Sequence, residues 1–436
     1  MKHLLTSLTV LALGAGACVD APGDDRAIDA ATGTDVAALA PRLTWSRTRV
    51  AGDVYHYQLT IPVGTTASAA LRLHRVVRER APGVPRPAAH AALLLHGDFA
   101  TFATNFLPGA GQPASPAPGL ATYLATHGVD VWGLDRRWTL PATDGDLSDF
   151  GDLGVAQEID DVRAALALAR ATRALDGSGG GRPALVGFSH GGQLAYLTAS
   201  VDAARPAAQR QVGAVAALDF YGAVPPDRAA EQALFCDNAA LEAGWLADGW
   251  TDAPNDFFIA LGELARSAPD ADSPLWPGLT NQQALATTLG QTWLFAPFTP
   301  WYHLLTPTVD GDGVATGFAA VSDAAASAWL AGAPPHQSLR EAAELDALLC
   351  PTMAPPIDAP LGRIAVPVMY LGAAGGVGDL GAYTTTQVGS TDVTVHVARR
   401  LAPGDELTDV GHGDLLYATD AEALAWRPLH TWLTAR

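Results

Sequence analysis

At 436 residues, with 49% hydrophobic and 16% charged side chains, the chain has enough apolar material for one large domain with an insertion or for two ordinary domains, which excludes wholesale disorder. Its formal net charge of -19 comes from Asp and Glu scattered singly along the chain, which suits solubility and argues against a nucleic-acid partner.

The first seventeen residues read as an export signal. Met1, Lys2 and His3 make a short basic start, "LLTSLTVLALGAG" has the length of a signal's apolar region, and "AGAC" closes it at Cys18. The apolar run is too short for a stable membrane anchor, and no other stretch is long and apolar enough to span a bilayer. Small residues directly before a cysteine resemble the lipobox of bacterial lipoproteins, although Ala15 stands where leucine is usual. The resemblance implies acylation of Cys18 and a lipid anchor in the cell envelope; a simply cleaved signal and secretion are the alternative. Residues 18–41, small, polar and punctuated by Pro and Gly, read as a flexible tether.

Alternating patterns then predict strands in "DVYHYQLTIPV" and "AALRLHRVVRER". "AHAALLLHGDF" is a short continuous apolar run suited to a strand buried on both faces. A helix is expected over 119–127 and a buried strand over 129–135. Val155, Ile159, Val162, Leu166 and Ala169 recur at helical spacing until Asp176-Gly177 and a glycine run stop them. "PALVGF", "HGGQLAYLTAS" and "VGAVAALDFYG" continue as strand, helix and strand. This rhythm predicts an α/β fold, a mostly parallel central sheet with helices on both faces. It breaks over 223–360, a mainly helical insertion holding six of the eleven tryptophans and both remaining cysteines. The core is expected over 42–222 and 361–436, resuming at "AVPVMYLGA" and "TDVTVHVA" and ending in an amphipathic helix over 420–436.

Gly187-x-Ser189-x-Gly191 closes a buried strand and opens a helix, the context a nucleophile elbow needs. Glycine at both second neighbours lets strand and helix approach closely, and the helix aims its free N–H groups at the serine oxygen. On this motif, "LLLHGDF" and "LATHGVDVWGLDRR", the chain resembles the α/β-hydrolase family, with 223–360 where that family commonly carries its cap. The resemblance implies a base on a loop after the last strand, and "LTDVGHGDLL" supplies His412. An imidazole there can take the serine proton and return it to the leaving group. Family order implies an acid just past the seventh strand, where Asp379 comes first; Asp219, at the end of "AALD", is the rival. The implied oxyanion donors are the backbone N–H groups of His190 and Asp98, with the Asp98 carboxylate expected to turn away. His96 is expected to be a hydrogen-bonding core residue.

Export makes a Cys236–Cys350 disulfide permissible, the alternative being two buried thiols. "VDGDGVATG", over 309–317, opens like a calcium loop but lacks the later ligands and reads as a polar turn. The cap tryptophans line an apolar channel or belong to the core; the sequence favours neither. The expected function is an exported serine hydrolase that needs no cofactor. It would cleave a carboxylic ester of a small or lipid-like acyl substrate through an acyl-enzyme on Ser189. A peptidase, amidase or thioesterase would use the same residues, and a catalytically silent binding protein would keep the fold. An acidic site for a free amino terminus, supplied by the cap, would mark a peptidase; the sequence displays none.

Overall fold

A computed structural model describes residues 43–107, 119–291 and 299–436. The export signal, Cys18 and the tether lie outside the described residues.

The chain opens with an antiparallel meander of β1 (Thr44–Ala51), β2 (Val54–Pro62) and β3 (Ala70–Ala81), and the two-residue β4 (Val84–Pro85) folds back on β3. Then come β5 (His90–Leu95), α1 (Phe102–Phe106), α2 (Gly119–Thr126), β6 (Val129–Asp135), α3 (Val155–Asp176), β7 (Ala184–Phe188), α4 (His190–Ala203) and β8 (Ala214–Leu218). An excursion follows through α5 (Ala229–Ala247), α6 (Asp256–Ser267), α7 (Asn281–Gly290), the ribbon β9 (Pro307–Val309) and β10 (Ala315–Phe318), α8 (Asp323–Ala331) and α9 (Leu339–Leu349). The chain returns through β11 (Val368–Ala373), β12 (Val393–Ala398), α10 (Asp414–Tyr417) and α11 (Arg427–Thr434). The main sheet runs β1-β2-β3-β6-β5-β7-β8-β11-β12, and every neighbouring pair from β6 to β12 is parallel. Most of this matches the expected rhythm; β1 is an addition. Its sequence, TWSRTRVA, carries arginines rather than an apolar face because it is an exposed edge, where charge discourages pairing with another chain.

The period of two along β5 explains the layering. Leu94 faces one core with Leu120 and Leu124 of α2 and Leu429 of α11. Leu93 and Leu95 face the other with Val162 and Leu166 of α3 and Leu194 of α4. All three leucines have no exposed surface, and each such burial contributes about 1.5–3 kcal/mol. The predicted stripe of α3 is buried throughout, and the helix ends at Gly177, whose φ of 87° is a left-handed cap. The expected C-terminal helix has two parts, a wide turn over Glu422–Trp426 and then α11, with Pro428 in its first turn.

The excursion is bound to the sheet side by polar contacts as well as packing. Gln193 Nε2 on α4 donates to Leu345 O on α9 at 2.8 Å, and Trp138 Nε1 donates to Glu341 Oε2 at 2.6 Å. The Cys236–Cys350 disulfide is formed, joining α5 to the end of α9. Asp310 Oδ1 accepts from the N–H groups of Asp312 and Val314, closing the turn of the β9–β10 ribbon. Among the tryptophans there, Trp329 is buried against Tyr417, whereas Trp245 and Trp250 face solvent. No helix among the described residues is long and apolar enough to cross a membrane.

Candidate active site

The serine sits at a bend with no slack. Ser189 follows the last residue of β7 and precedes the first of α4, with φ 56° and ψ -135°, a conformation that is strained for a residue with a side chain. The Ser189 N–H donates to Leu218 O of the next strand at 3.0 Å, which holds the bend in place. A Cβ on Gly187 would lie 1.9 Å from Gly191 O, so these positions have no room for a side chain.

The histidine arrives from the far end of the chain. His412 lies between β12 and α10, is 2% exposed, and stacks on Phe188, the residue before the serine, with ring centroids 4.5 Å apart. Its loop is pinned to the excursion: His412 N–H donates to His303 O at 3.0 Å, and Gly413 N–H donates to Leu304 O at 2.7 Å. Asp409 and Asp414 are buried within this loop. Asp409 Oδ1 accepts from Val410 N–H at 2.8 Å, and Asp414 Oδ2 accepts from Gly411 N–H at 3.0 Å.

The acid beside the histidine is Asp219, and the first choice, Asp379, is corrected. His412 Nδ1 donates to Asp219 Oδ2 at 2.8 Å, and Asp219 is fully buried just past β8 with φ 52°. Asp379 has a side chain 71% exposed and pairs instead with Arg399. The cause is the path of the long loop after β11. Rather than presenting a carboxylate, it joins the end of β11 in wrapping that of Asp219 with N–H groups: Ala373, the last residue of β11, and Gly378 donate to Oδ1 at 2.8 and 3.0 Å, and Val377 to Oδ2 at 3.2 Å. By residue 379 the chain has turned outward.

Of the two expected donor positions, His190 follows the serine directly, and Asp98 follows Gly97, whose added Cβ would lie 3.3 Å from Ser189 Oγ. Among the described residues, neither the His190 nor the Asp98 N–H is taken up by a hydrogen bond. The Asp98 carboxylate accepts from His190 Nδ1, and Arg136 Nη1 lies 3.7 Å from its other oxygen. Burial opposes both charges, yet the pairing raises the His190 pKa above its ordinary value and lowers that of Asp98. His96 is a core residue, as expected: its Nε2 accepts from Arg136 N–H at 3.1 Å, so its protonated Nδ1 donates to Gly97 O at 2.8 Å. Burial and Arg136 push its pKa down to about 4, which keeps the ring neutral.

Behind this lies a charged network that the sequence did not reveal. Arg136 is buried and pairs with Glu341 of α9, and its Nε lies 3.5 Å from Glu158 Oε2 of α3. Burial raises the Glu158 pKa to about 7 even with Arg136 beside it. Asp346 of α9 is raised to about 6 by burial, against the pull of His190. Glu242 of α5 is raised to about 8 by burial and then by Asp346 and Asp98. These residues come from four separate segments between positions 136 and 346, and no local pattern joins those segments. Aromatic rings complete the surroundings: Phe220 lies edge-on to His190 at 4.5 Å, Tyr302 is 5.5 Å from His412, and Phe99 is 4.3 Å from Phe258 of α6. No group of three or more His, Cys, Asp or Glu among the described residues is arranged to hold a metal ion.

No protein-family model and no curated protein sequence matches the chain. Solved structures do resemble it. A protein from Sulfolobus solfataricus assigned as a lipase is 16% identical over 90% of this chain and 99% of its own, with a TM-score of 0.59. A soluble variant of monoglyceride lipase from Saccharomyces cerevisiae is 13% identical over 89% and 94%, with a TM-score of 0.42. A cold-adapted esterase from an Arctic intertidal metagenomic library is 11% identical over 90% and 99%, with a TM-score of 0.38. Taken with the parallel sheet order and the strand-to-helix bend at Ser189, the first of these likenesses identifies the architecture: the chain has the α/β-hydrolase fold.

Proposed function

We propose that the protein is a serine hydrolase that cleaves carboxylic esters through an acyl-enzyme on Ser189. The observation that carries the reading is the His412–Asp219 pair stacked against the residue that precedes a serine on a strained elbow. Asp219 accepts the Nδ1 proton, which leaves Nε2 as the basic nitrogen. Ser189 Oγ attacks the ester carbonyl carbon while His412 Nε2 takes its proton. The oxyanion rests on the N–H groups of His190 and Asp98, and the imidazolium gives its proton to the departing alcohol. Water, deprotonated by His412, then attacks the acyl-enzyme and frees the acid and Ser189. The aromatic surroundings suit an apolar acyl group, and an ester asks least of the leaving-group acid. We carry the same reading to the rest of the chain: export on the 1–17 signal, a lipid anchor on Cys18, and a cap over 223–360 covering a core of 42–222 and 361–436.

A peptidase is the second reading, and one observation favours it. Asp346 and Glu242, both from the excursion, are within electrostatic reach of Asp98, and Asp346 also of His190. Burial raises both pKa values toward neutral pH, and an ammonium group bound there would favour the ionised carboxylates.

The test is labelling of the purified protein with a fluorophosphonate and mapping of the modified peptide, followed by p-nitrophenyl esters of graded chain length and aminoacyl anilides with free or acetylated amines. The ester reading expects modification at Ser189, absent in Ser189→Ala, and turnover of esters well above anilides. Free-amine anilides cleaved faster than both their acetylated forms and the esters would replace it with the peptidase reading. Folded protein that is neither labelled nor active on any of them would sink both.

A further inference from the structure

We propose that the Asp98 carboxylate and the His190 imidazole form a clamp between the two segments whose backbone N–H groups receive the oxyanion, making both side chains positioning residues; this rests on the serine-hydrolase reading above. The two donors come from segments that are remote in sequence, the loop after β5 and the start of α4, and beside the close backbone packing of Gly97 on Ser189 a side-chain hydrogen bond joins them across the bend.

The loop after β5 is constrained on either side of Asp98. Gly97 runs so close to the nucleophile that a Cβ on it would lie 2.7 Å from Ser189 Cβ, and its N–H is taken by Asn105 Oδ1 at 3.0 Å. Phe99, the next residue, is held at φ 53°. Asp98 is the residue between, and its side chain is what reaches α4. The pair is largely enclosed, with 16% of the Asp98 and 12% of the His190 side chain exposed. Arg136 backs the carboxylate, Phe220 packs edge-on against the imidazole, and the Asp346 carboxylate of α9 is within electrostatic reach of the imidazole.

Enclosed charge pairs contribute little net stability, because desolvation offsets their attraction. What a charge-assisted hydrogen bond does provide is a fixed distance between its partners. Oxyanion stabilisation depends on that distance, since donors act only when aimed at the place where charge develops. The pair also eases an electrostatic problem: a bare carboxylate one side chain away from an oxyanion would oppose it, and the N–H that His190 donates to that carboxylate draws its charge away from the oxyanion.

The experiment measures kcat and KM on a p-nitrophenyl ester for the wild-type protein, Asp98→Ala, His190→Ala, the double variant and Asp98→Asn, with the melting temperature of each. Loosening a donor rather than deleting it is expected to lower kcat about 10- to 100-fold in either alanine variant, with KM within about twofold. The double variant is expected to be no slower than the slower single one. Asp98→Asn keeps an acceptor for His190 Nδ1 and is expected to recover most of the loss. If the alanine variants do not fold, Asp98→Leu, close in size but without an acceptor, is compared with Asp98→Asn, and equal kcat values overturn the clamp. An Asp98→Ala enzyme within twofold of wild-type kcat, or losses that multiply in the double variant, also overturns it. Wild-type protein inert to every substrate and to fluorophosphonate would instead remove the hydrolase reading, and the clamp with it.

Discussion

His412 Nδ1 lies 2.8 Å from Asp219 Oδ2, while the last residue of β11 and the loop after it supply three backbone N–H donors to the same carboxylate. A carboxylate satisfied in this way cannot rotate, so it fixes the tautomer and the direction of the imidazole together. Asp219→Asn is therefore expected to lower kcat on an ester by about 10³- to 10⁴-fold, the scale of the handicap when the orienting acid of a triad becomes an amide. Asp379→Asn, at a solvent-exposed pair with Arg399, is expected to leave kcat within about twofold and stability within about 0.5 kcal/mol. Steady-state kinetics of the two variants side by side decide between the carboxylates. The reverse ranking would return the role to Asp379.

The same relationship predicts a remote way to damage the site. A Cβ on Gly376 would stand 2.0 Å from Asp219 Oδ2, closer than real contacts allow, and backbone on both sides limits escape. Gly376→Ala is expected to push the carboxylate off the imidazole and reduce kcat by about 10²-fold or more, the cost of misplacing an aligned group by roughly 1 Å. KM should move far less. A variant with wild-type kcat and an unchanged melting temperature would mean that the loop yields and the carboxylate stays.

Much of the fold is legible in the sequence because it is written in short-range pattern. The continuous apolar runs at 90–95 and 184–188 are strands buried on both faces, and the stripe from Val155 to Ala169 packs one side of a helix on the sheet. Ser189 is legible for the same reason: its bend needs glycines two residues away on each side, a local requirement. His412 and the acid differ in kind. Histidine between glycines after the last strand is a good locator, but which carboxylate meets it depends on the route of residues 374–378, and their side chains say nothing of that route. Family order favoured Asp379, whereas the N–H groups of that loop turn inward to Asp219. The Asp98–His190 pair was illegible too, because Asp98 follows β5 and His190 opens the helix after β7, and it takes the pairing of β5 with β7 to bring them together.

Glu158 supplies a test in stability rather than activity. Burial lifts its pKa from 4.5 to about 7, so the folded chain holds this proton more tightly than the unfolded chain does. Its contribution to stability is therefore greatest below about pH 4.5 and declines as the pH rises to about 7, where the buried carboxyl ionises. Glu158→Gln cannot ionise and should flatten part of that decline. Relative to the wild type, it should be more stable at pH 8 than at pH 4.5 by at most about 3 kcal/mol. Urea titrations at the two pH values measure the difference. A gap of the opposite sign would mean that ionised Glu158 is the partner Arg136 needs, and that the attraction outweighs the burial.

The disulfide should matter to the excursion more than to the chemistry. Cys236 on α5 and Cys350 after α9 are 114 residues apart in sequence, so the bond shortens a very long loop in the unfolded chain. Replacing both with serine is expected to cost about 2–4 kcal/mol, read as a lower melting temperature and a lower urea midpoint. The elbow, His412 and Asp219 lie outside that loop in the chain, and the strands and loops that position them are tied by their own hydrogen bonds. Fluorophosphonate labelling of Ser189 at 25 °C should therefore keep its rate within about threefold. The excursion does touch the site through His303, Leu304 and Glu341, so the alternative has a physical route. A labelling rate that collapses while the melting temperature barely moves would mean that the crosslink holds those three residues in register with the elbow, and that the excursion belongs to the catalytic unit rather than resting on it.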